Sequence, residues 1–287
     1  MTKGLADKKI CFLGAGSMAE AIFRGLLESG KTSPDQICAT NRSNQSRLDE
    51  LSARYSIQTT NDPSAIRDYL ALSDIVVLAM KPKDVMEALR HYKSLLREDK
   101  LLVSVVAGLS METMYGLLGN SMPIARTMPN TSSTIGLGAT GIAFSSSADK
   151  EHKESVLDMF RSVGKVLVIE EKQLDILTGV SGSGPAYVYY MMEAMIEGGI
   201  RGGLSAEDAR ILTVQTFLGA ASMVQQTEED PAVLRRKVTS PNGTTQAAIE
   251  KLDEFRFPQA VQEAVLRSAE RAAEIGNAIS LEATKRE

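Results

Sequence analysis

The sequence predicts an α/β protein in two parts, a doubly wound and mostly parallel sheet over residues 1–170 and an all-helical domain over 171–287. Three observations carry this. Short β-rich runs alternate with amphipathic stretches through the first half, the pattern of parallel strands joined by right-handed helical crossovers. The runs are apolar throughout, as in Ile75-Val76-Val77-Leu78, which suits a sheet covered on both faces. Beyond about Glu170 the β-runs give way to long helical patterns, and a chain of this length has room for two domains.

The β-runs lie at 10–13, 37–40, 57–59, 75–78 and 101–106, and helical stretches begin near Ser17, Ser43, Asp62, Lys83 and Ser110. Three more runs, at 124–128, 138–144 and 165–170, are expected to extend the sheet, antiparallel pairing included, with a helix over 151–163 before the last. In the second half, helices are expected over 185–198, 205–225, 231–238, 244–255 and 258–279. Ser205 and the pair Asp230-Pro231 mark two starts, because a polar N-cap and an early proline fit the first turn.

Composition narrows the function. Hydrophobic residues at 43% and charged residues at 24% are globular values and exclude a disordered chain. A net charge of -4 offers no electrostatic reason to expect nucleic acid. The absence of Trp argues against a base-stacking platform. Two cysteines, Cys11 and Cys38, and two histidines, His91 and His152, are too few for a disulfide scaffold or a zinc site. The opening residues carry no signal-peptide core, and the longest apolar run, 75–80, is far short of the ~18 residues of a membrane span. A cytoplasmic protein is expected, with no membrane partner.

The first strand runs into Gly14-Ala15-Gly16-Ser17-Met18-Ala19. In such a G-x-G-x-x-A loop the first glycine permits the turn and the second lets a pyrophosphate approach the backbone. The alanine keeps helix and strand close, and the helix N-terminus faces the phosphates. Its position between a strand and a helix is the context a Rossmann-type dinucleotide site requires. Gly25-Leu26-Leu27-Glu28-Ser29-Gly30-Lys31-Thr32 also satisfies the phosphate-loop pattern, but Gly25 falls inside an amphipathic helix and Gly30 at its end, so the context is wrong. The second strand ends in Ala39-Thr40-Asn41-Arg42-Ser43 with no acid. An acid there would repel a 2′-phosphate, whereas Arg42 pairs with one and Asn41 and Ser43 donate hydrogen bonds to it. NADPH is therefore expected ahead of NADH.

Ligands in such sheets sit beyond the carboxyl ends of the strands. Ala79-Met80-Lys81-Pro82, Val105-Val106-Ala107-Gly108 and Arg126-Thr127-Met128-Pro129-Asn130-Thr131 are thus candidates to line the cofactor. Lys81 reads equally as a phosphate or substrate partner and as a surface lysine at a helix start. Gly179-Val180-Ser181-Gly182-Ser183-Gly184-Pro185 allows close backbone approach to a ligand, a hinge between domains, or both. Ser240-Pro241-Asn242-Gly243-Thr244-Thr245 feeds a helix start. It reads either as an anion-binding concavity flanked by two hydroxyls or as an ordinary capped start.

The motifs GAGSMA, AMKP, RTMPNT, TGVSGSGPAYV and VTSPNGTT, in this order and spacing, resemble those of Δ1-pyrroline-5-carboxylate reductase, the last enzyme of proline biosynthesis. The resemblance covers essentially the whole chain, and TSP-x-GTT is its most specific part. It implies an N-terminal Rossmann domain and a C-terminal helical dimerisation domain through which two chains interlock, with dimers assembling further, up to decamers. It places the active site between one chain's cofactor domain and helical-domain loops, the partner's included. By match, Gly243 and Thr244 offer backbone N–H groups to the substrate carboxylate, Thr245 donates its hydroxyl toward the imine nitrogen, and Ser240 shapes the loop. Glu228 matches an acid near the substrate and Asn61 an adenosine-side contact. The chain departs from the family pattern at Asn242, usually Gly, at Arg236, usually an acid, and at Ser205 and Ser132, usually Pro.

The activity implied is hydride transfer from NADPH to the C=N carbon of a cyclic imino acid. That substrate needs orientation and an anion site more than a strong acid. A β-hydroxyacid dehydrogenase, which shares the glycines at 179, 182 and 184, needs a lysine where Val188 stands, so carbonyl reduction lacks its proton donor. A non-catalytic NADP-binding sensor would bind coenzyme without turnover.

Overall fold

The computed structural model describes residues 4–284; residues 1–3 and 285–287, the outer ends of the two expected domains, lie outside the described residues. Eight strands form one sheet: β1 Ile10–Leu13, β2 Ile37–Thr40, β3 Gln58–Thr60, β4 Ile75–Leu78, β5 Leu101–Ser104, β6 Ile124–Met128, β7 Gly138–Phe144 and β8 Gly164–Val168. Their spatial order is β3-β2-β1-β4-β5-β6-β7-β8. All pairings are parallel except β6 with β7. The direction of strand order reverses between β1 and β4, which is where ligands of such sheets bind.

The helices are α1 Ser17–Glu28, α2 Gln45–Tyr55, α3 Pro63–Leu72, α4 Pro82–Tyr92, α5 Met111–Leu118, α6 Lys150–Arg161, α7 Leu174–Leu177, α8 Gly184–Arg201, α9 Ala206–Thr227, α10 Pro231–Lys237, α11 Thr244–Glu254 and α12 Phe257–Thr284. Alternate residues of a strand point to opposite faces, and the core divides accordingly. Ile10 and Phe12 pack with Ile22, Phe23 and Leu26 of α1, Leu48 and Leu51 of α2, and Phe160 of α6. Cys11 and Leu13 pack with Leu70 of α3, Val85 and Leu89 of α4, Met114 of α5, and Ile279 and Ala283 of α12.

Helix starts follow their caps. Asp62 accepts from the Ser64 and Ala65 N–H groups ahead of Pro63, Ser110 from Thr113, Ser205 from Asp208 and Asp230 from Ala232. Strand bounds differ from expectation in three places. β5 stops at Ser104 because its Oγ accepts the Val106 N–H at 3.3 Å and Gly108 then turns the chain at φ +78°. β3 starts at Gln58, the first residue in register with β2 through Cys38. β8 starts at Gly164, where φ is +150° and a Cβ would lie 2.1 Å from the Gly138 oxygen. A π-helical turn spans Thr178–Gly182, where the sequence predicts only a glycine-rich junction.

The described residues through Ser183, with those from Arg267 onward, form one compact unit, and Gly184–Leu266 forms a second. In the second, α8 and α9 approach closely where Gly199 faces Ala209, whose Cβ would lie 3.1 Å from a Cβ on the glycine. Tyr189, Tyr190, Leu212, Leu218 and Met223 of these helices are more than half exposed. No described helix is long and apolar enough to cross a membrane.

Candidate functional site

In the first unit the ladder runs on past the strand ends. The Asn41 N–H donates to Thr60 O at 3.4 Å, Gly14 N–H to Thr40 O at 3.2 Å, Ala79 N–H to Leu13 O at 2.9 Å and Val105 N–H to Leu78 O at 3.1 Å. This brings the loops bearing Gly14–Ala19, Asn41–Ser43, Asn61, Ala79–Pro82 and Val105–Ala107 into one row along the carboxyl edge, as the sequence predicts.

Gly14 and Gly16 serve different ends there. Gly14 has φ +118°, and a Cβ on it would lie 2.2 Å from the Ala79 oxygen; only glycine lets β1 turn this close to β4. Gly16 is the N-cap of α1 with ordinary φ, no side chain caps the helix, and nothing lies within 4 Å of where its Cβ would be. Ser17 beside it is exposed. An uncapped helix start with open space over a glycine fits a pyrophosphate. Ala15 and Ala19 are buried and contribute packing, and Met18 is half-buried against the core.

At the end of β2 the Asn41 Oδ1 accepts from the Ser43 and Asn44 N–H groups, so Asn41 shapes the loop. The Arg42 side chain is 76% exposed and pairs with Glu87 at 3.3 Å and Asp84 at 3.8 Å. With no acid in the loop and an exposed guanidinium, the residues fit a 2′-phosphate. Lys81 is exposed at the N-cap of α4, Pro82 occupying the first turn. Val106 is buried, which leaves its backbone alone available to a ligand. Beside Ala107 a cavity of about 350 Å³ opens, lined also by Gly108, Thr178, Ser183 and Ser268.

Sequence reasoning missed the network that holds the glycine loop. Arg47 of α2 donates Nε–H to the Ala15 carbonyl at 3.2 Å and pairs with Glu20 and Glu50. Glu20 also accepts from the Tyr55 hydroxyl at 2.7 Å and pairs with Arg54. Burial pushes the Glu20 carboxyl up, but hydrogen bonds from Arg47 and Tyr55 and the charges of Arg47 and Arg54 outweigh it and hold its pKa below the usual value. Nothing local in the sequence marks this cluster. Asn130 of the RTMPNT motif is likewise a brace, donating to the Ser181 carbonyl of the π turn at 3.0 Å and accepting the Ala139 N–H. The phosphate-loop look-alike is a helix end: Gly25 lies inside α1, where a Cβ would meet Val163 at 2.5 Å, Gly30 follows at φ +64°, and Lys31 pairs with Asp158.

In the second unit Ser240–Thr245 forms a tight turn into α11. Asn242 adopts φ +60°, a conformation asparagine tolerates, and its N–H donates to Gln246 Oε1 at 2.8 Å. By the family resemblance the Gly243 N–H faces a carboxylate. Here it closes the turn on the Ser240 carbonyl at 3.0 Å, because the tight turn aims it inward. The first-turn donors of α11 are therefore those of Thr244, Thr245 and Gln246. No side chain caps this helix and its first turn carries no acid, while the preceding last turn of α10 carries Arg235, Arg236 and Lys237. The arrangement suits a small anion. Thr244 is exposed and Thr245 half-buried. Glu228 caps α9 at φ +55°; among the described residues no hydrogen bond or ion pair joins it to this turn.

Two family models match. "Pyrroline-5-carboxylate reductase dimerisation" covers residues 171–275, and "NADP oxidoreductase coenzyme F420-dependent" covers residues 9–108. The chain is 41% identical to pyrroline-5-carboxylate reductase 2 of Bacillus subtilis over 93% of its own length and 95% of that protein's. It is 39% identical to pyrroline-5-carboxylate reductase of Arabidopsis thaliana over 93% and 95%. Among solved structures, a pyrroline-5-carboxylate reductase from Coxiella burnetii superposes with TM-score 0.86 at 37% identity, covering 93% of this chain and 98% of that one. The Plasmodium falciparum enzyme with NADP bound superposes with TM-score 0.85 at 28% identity, covering 95% and 100%.

Proposed function

The chain belongs to the pyrroline-5-carboxylate reductase family, and from that premise we propose that it reduces Δ1-pyrroline-5-carboxylate to L-proline with NADPH as its preferred coenzyme. The bound dihydronicotinamide would supply the hydride. The observation that carries the reading is the uncapped, acid-free start of α11 with Thr244 and Thr245 in its first turn. The substrate is a small ring with one carboxylate and one basic C=N bond, and this turn offers an anion seat and two neutral hydroxyls.

The Thr244 backbone, with Ser240 and Gly243 fixing the turn, holds the carboxylate. The Thr245 hydroxyl donates toward the imine nitrogen and orients the ring. Because the nitrogen is readily protonated in solution, no strong side-chain acid is required. Glu228 is the acid assigned near the substrate. In the first unit the α1 N-terminus takes the pyrophosphate, Arg42 with Asn41 and Ser43 the 2′-phosphate, and Asn61 the adenosine side. Ala79–Pro82 and Val105–Ala107 line the remaining length. The sequence division into 1–170 and 171–287 would separate coenzyme binding from substrate binding and dimerisation, with 171–183 and the described residues from Arg267 onward belonging instead to the coenzyme unit. The bare apolar residues of α8 and α9 support a homo-oligomer, since such patches mark interaction surfaces. Assembly up to a decamer and a cytoplasmic location complete the proposal.

The experiment is coenzyme oxidation, followed by absorbance, with pyrroline-5-carboxylate and either NADPH or NADH. The wild type is expected to turn over, faster with NADPH. Thr245→Ala is expected to lose about tenfold or more in kcat/KM, the scale of one positioned hydrogen bond. Wild-type turnover and substrate KM in that variant would remove Thr245 from its role, and coenzyme binding without turnover would favour the sensor.

A further inference from the structure

Arg42 sits in the loop after β2, and its two acidic partners, Asp84 and Glu87, sit in the first turns of α4, after β4. β2 and β4 flank β1 on opposite sides. The ion pair therefore crosses the carboxyl end of β1, over the glycine loop, where the adenosine half of a dinucleotide must enter.

We propose that this ion pair is a strap over the adenosine half of the coenzyme cleft, and that Asp84 and Glu87 thereby weaken the binding of both coenzymes while Arg42 alone discriminates between them. The inference rests on the coenzyme assignment above. Either coenzyme must part Arg42 from the acids to seat its adenosine. A 2′-phosphate then gives the guanidinium a partner of higher charge in place of two carboxylates. A 2′-hydroxyl gives it no such partner. The acids thus cost both coenzymes, and NADPH alone recovers the loss. All three side chains are at least one-third exposed, so the cost is small, about two- to fivefold in affinity.

The test is calorimetric titration of the full chain with NADPH and with NADH, without substrate and at low salt, for the wild type, Arg42→Ala and the double variant Asp84→Asn/Glu87→Gln. Arg42→Ala is expected to weaken NADPH binding yet tighten NADH binding by about two- to fivefold. The double variant is expected to tighten both. A plain phosphate anchor predicts no change for NADH in either variant, and that result overturns the strap while leaving the coenzyme assignment intact. A wild type that binds neither coenzyme overturns both.

Discussion

The Nε–H of Arg47 donates to the carbonyl of Ala15 across 3.2 Å, so the helix after β2 grips the loop after β1. The same guanidinium pairs with Glu20, one turn into α1. Its planar fork serves both partners at once, which a lysine ammonium does not reproduce. Arg47→Ala is expected to raise the coenzyme KM about tenfold with turnover at saturating coenzyme nearly unchanged. It should also cost about 1–2 kcal/mol of stability, because Glu20 loses its main partner. Arg47→Lys should recover part of the stability and little of the KM. Coenzyme titration beside a urea melt checks both, and an unchanged KM refutes the positioning role.

The two glycines of one motif are separable. Gly14→Ala places a methyl against the Ala79 carbonyl at a left-handed φ and should cost about 2–4 kcal/mol. Gly16→Ala meets nothing in the protein and should change stability by less than about 1 kcal/mol. Its methyl instead stands where the pyrophosphate comes, so coenzyme affinity should fall about tenfold or more. Thermal melts with and without NADPH distinguish the two; Gly16→Ala with wild-type affinity would remove the anion from the α1 N-terminus.

Asn242 stands at φ +60° and keeps the turn. Asn242→Gly is expected to preserve turnover and substrate KM. Asn242→Ala should cost about 1 kcal/mol in the turn and raise the substrate KM. Equal kinetics for Ala and Gly would show that the left-handed residue is not what shapes the site.

On α12 the Glu274 carboxyl is pulled down to about 2 by hydrogen bonds from Arg267 and Arg271 and by their charges. A depressed carboxyl supports the folded state above its ordinary value of 4.5, and that support fades as pH falls through about 2. The side-chain carboxyl resonance of Glu274 should titrate near that lower value in dilute salt. At high salt it should move toward the ordinary one, because the cluster is exposed.

The strands were legible because fully buried parallel strands announce themselves by composition. β1, β2, β4, β6 and β7 fall where their apolar runs stand, and the caps Asp62, Ser110, Ser205 and Asp230 mark starts by local chemistry. The apolar run overextends β5 because its signal is side-chain type, whereas the stop is a backbone bend at Ser104 and Gly108. Of the coenzyme edge, the Gly14–Ala19 loop and the acid-free end of β2 were readable. Arg47, Glu20, Asp84 and Glu87 were not, because their partners lie on other elements and no spacing links them. The inward Gly243 donor was also invisible, since only the turn's three-dimensional closure aims it at Ser240.

One consequence concerns the order of synthesis. Ile279 and Ala283 lie in the same buried cluster as Leu13, Leu78 and Leu89, Gly108 packs against the Gly276 backbone, and Arg90 donates to the Ala283 carbonyl at 2.9 Å. One face of the nucleotide-binding sheet is thus finished by residues translated after the whole of Gly184–Leu266. A nascent chain carrying every strand still lacks the helix that covers this oily flank, so the earliest-made portion is completed by one of the latest.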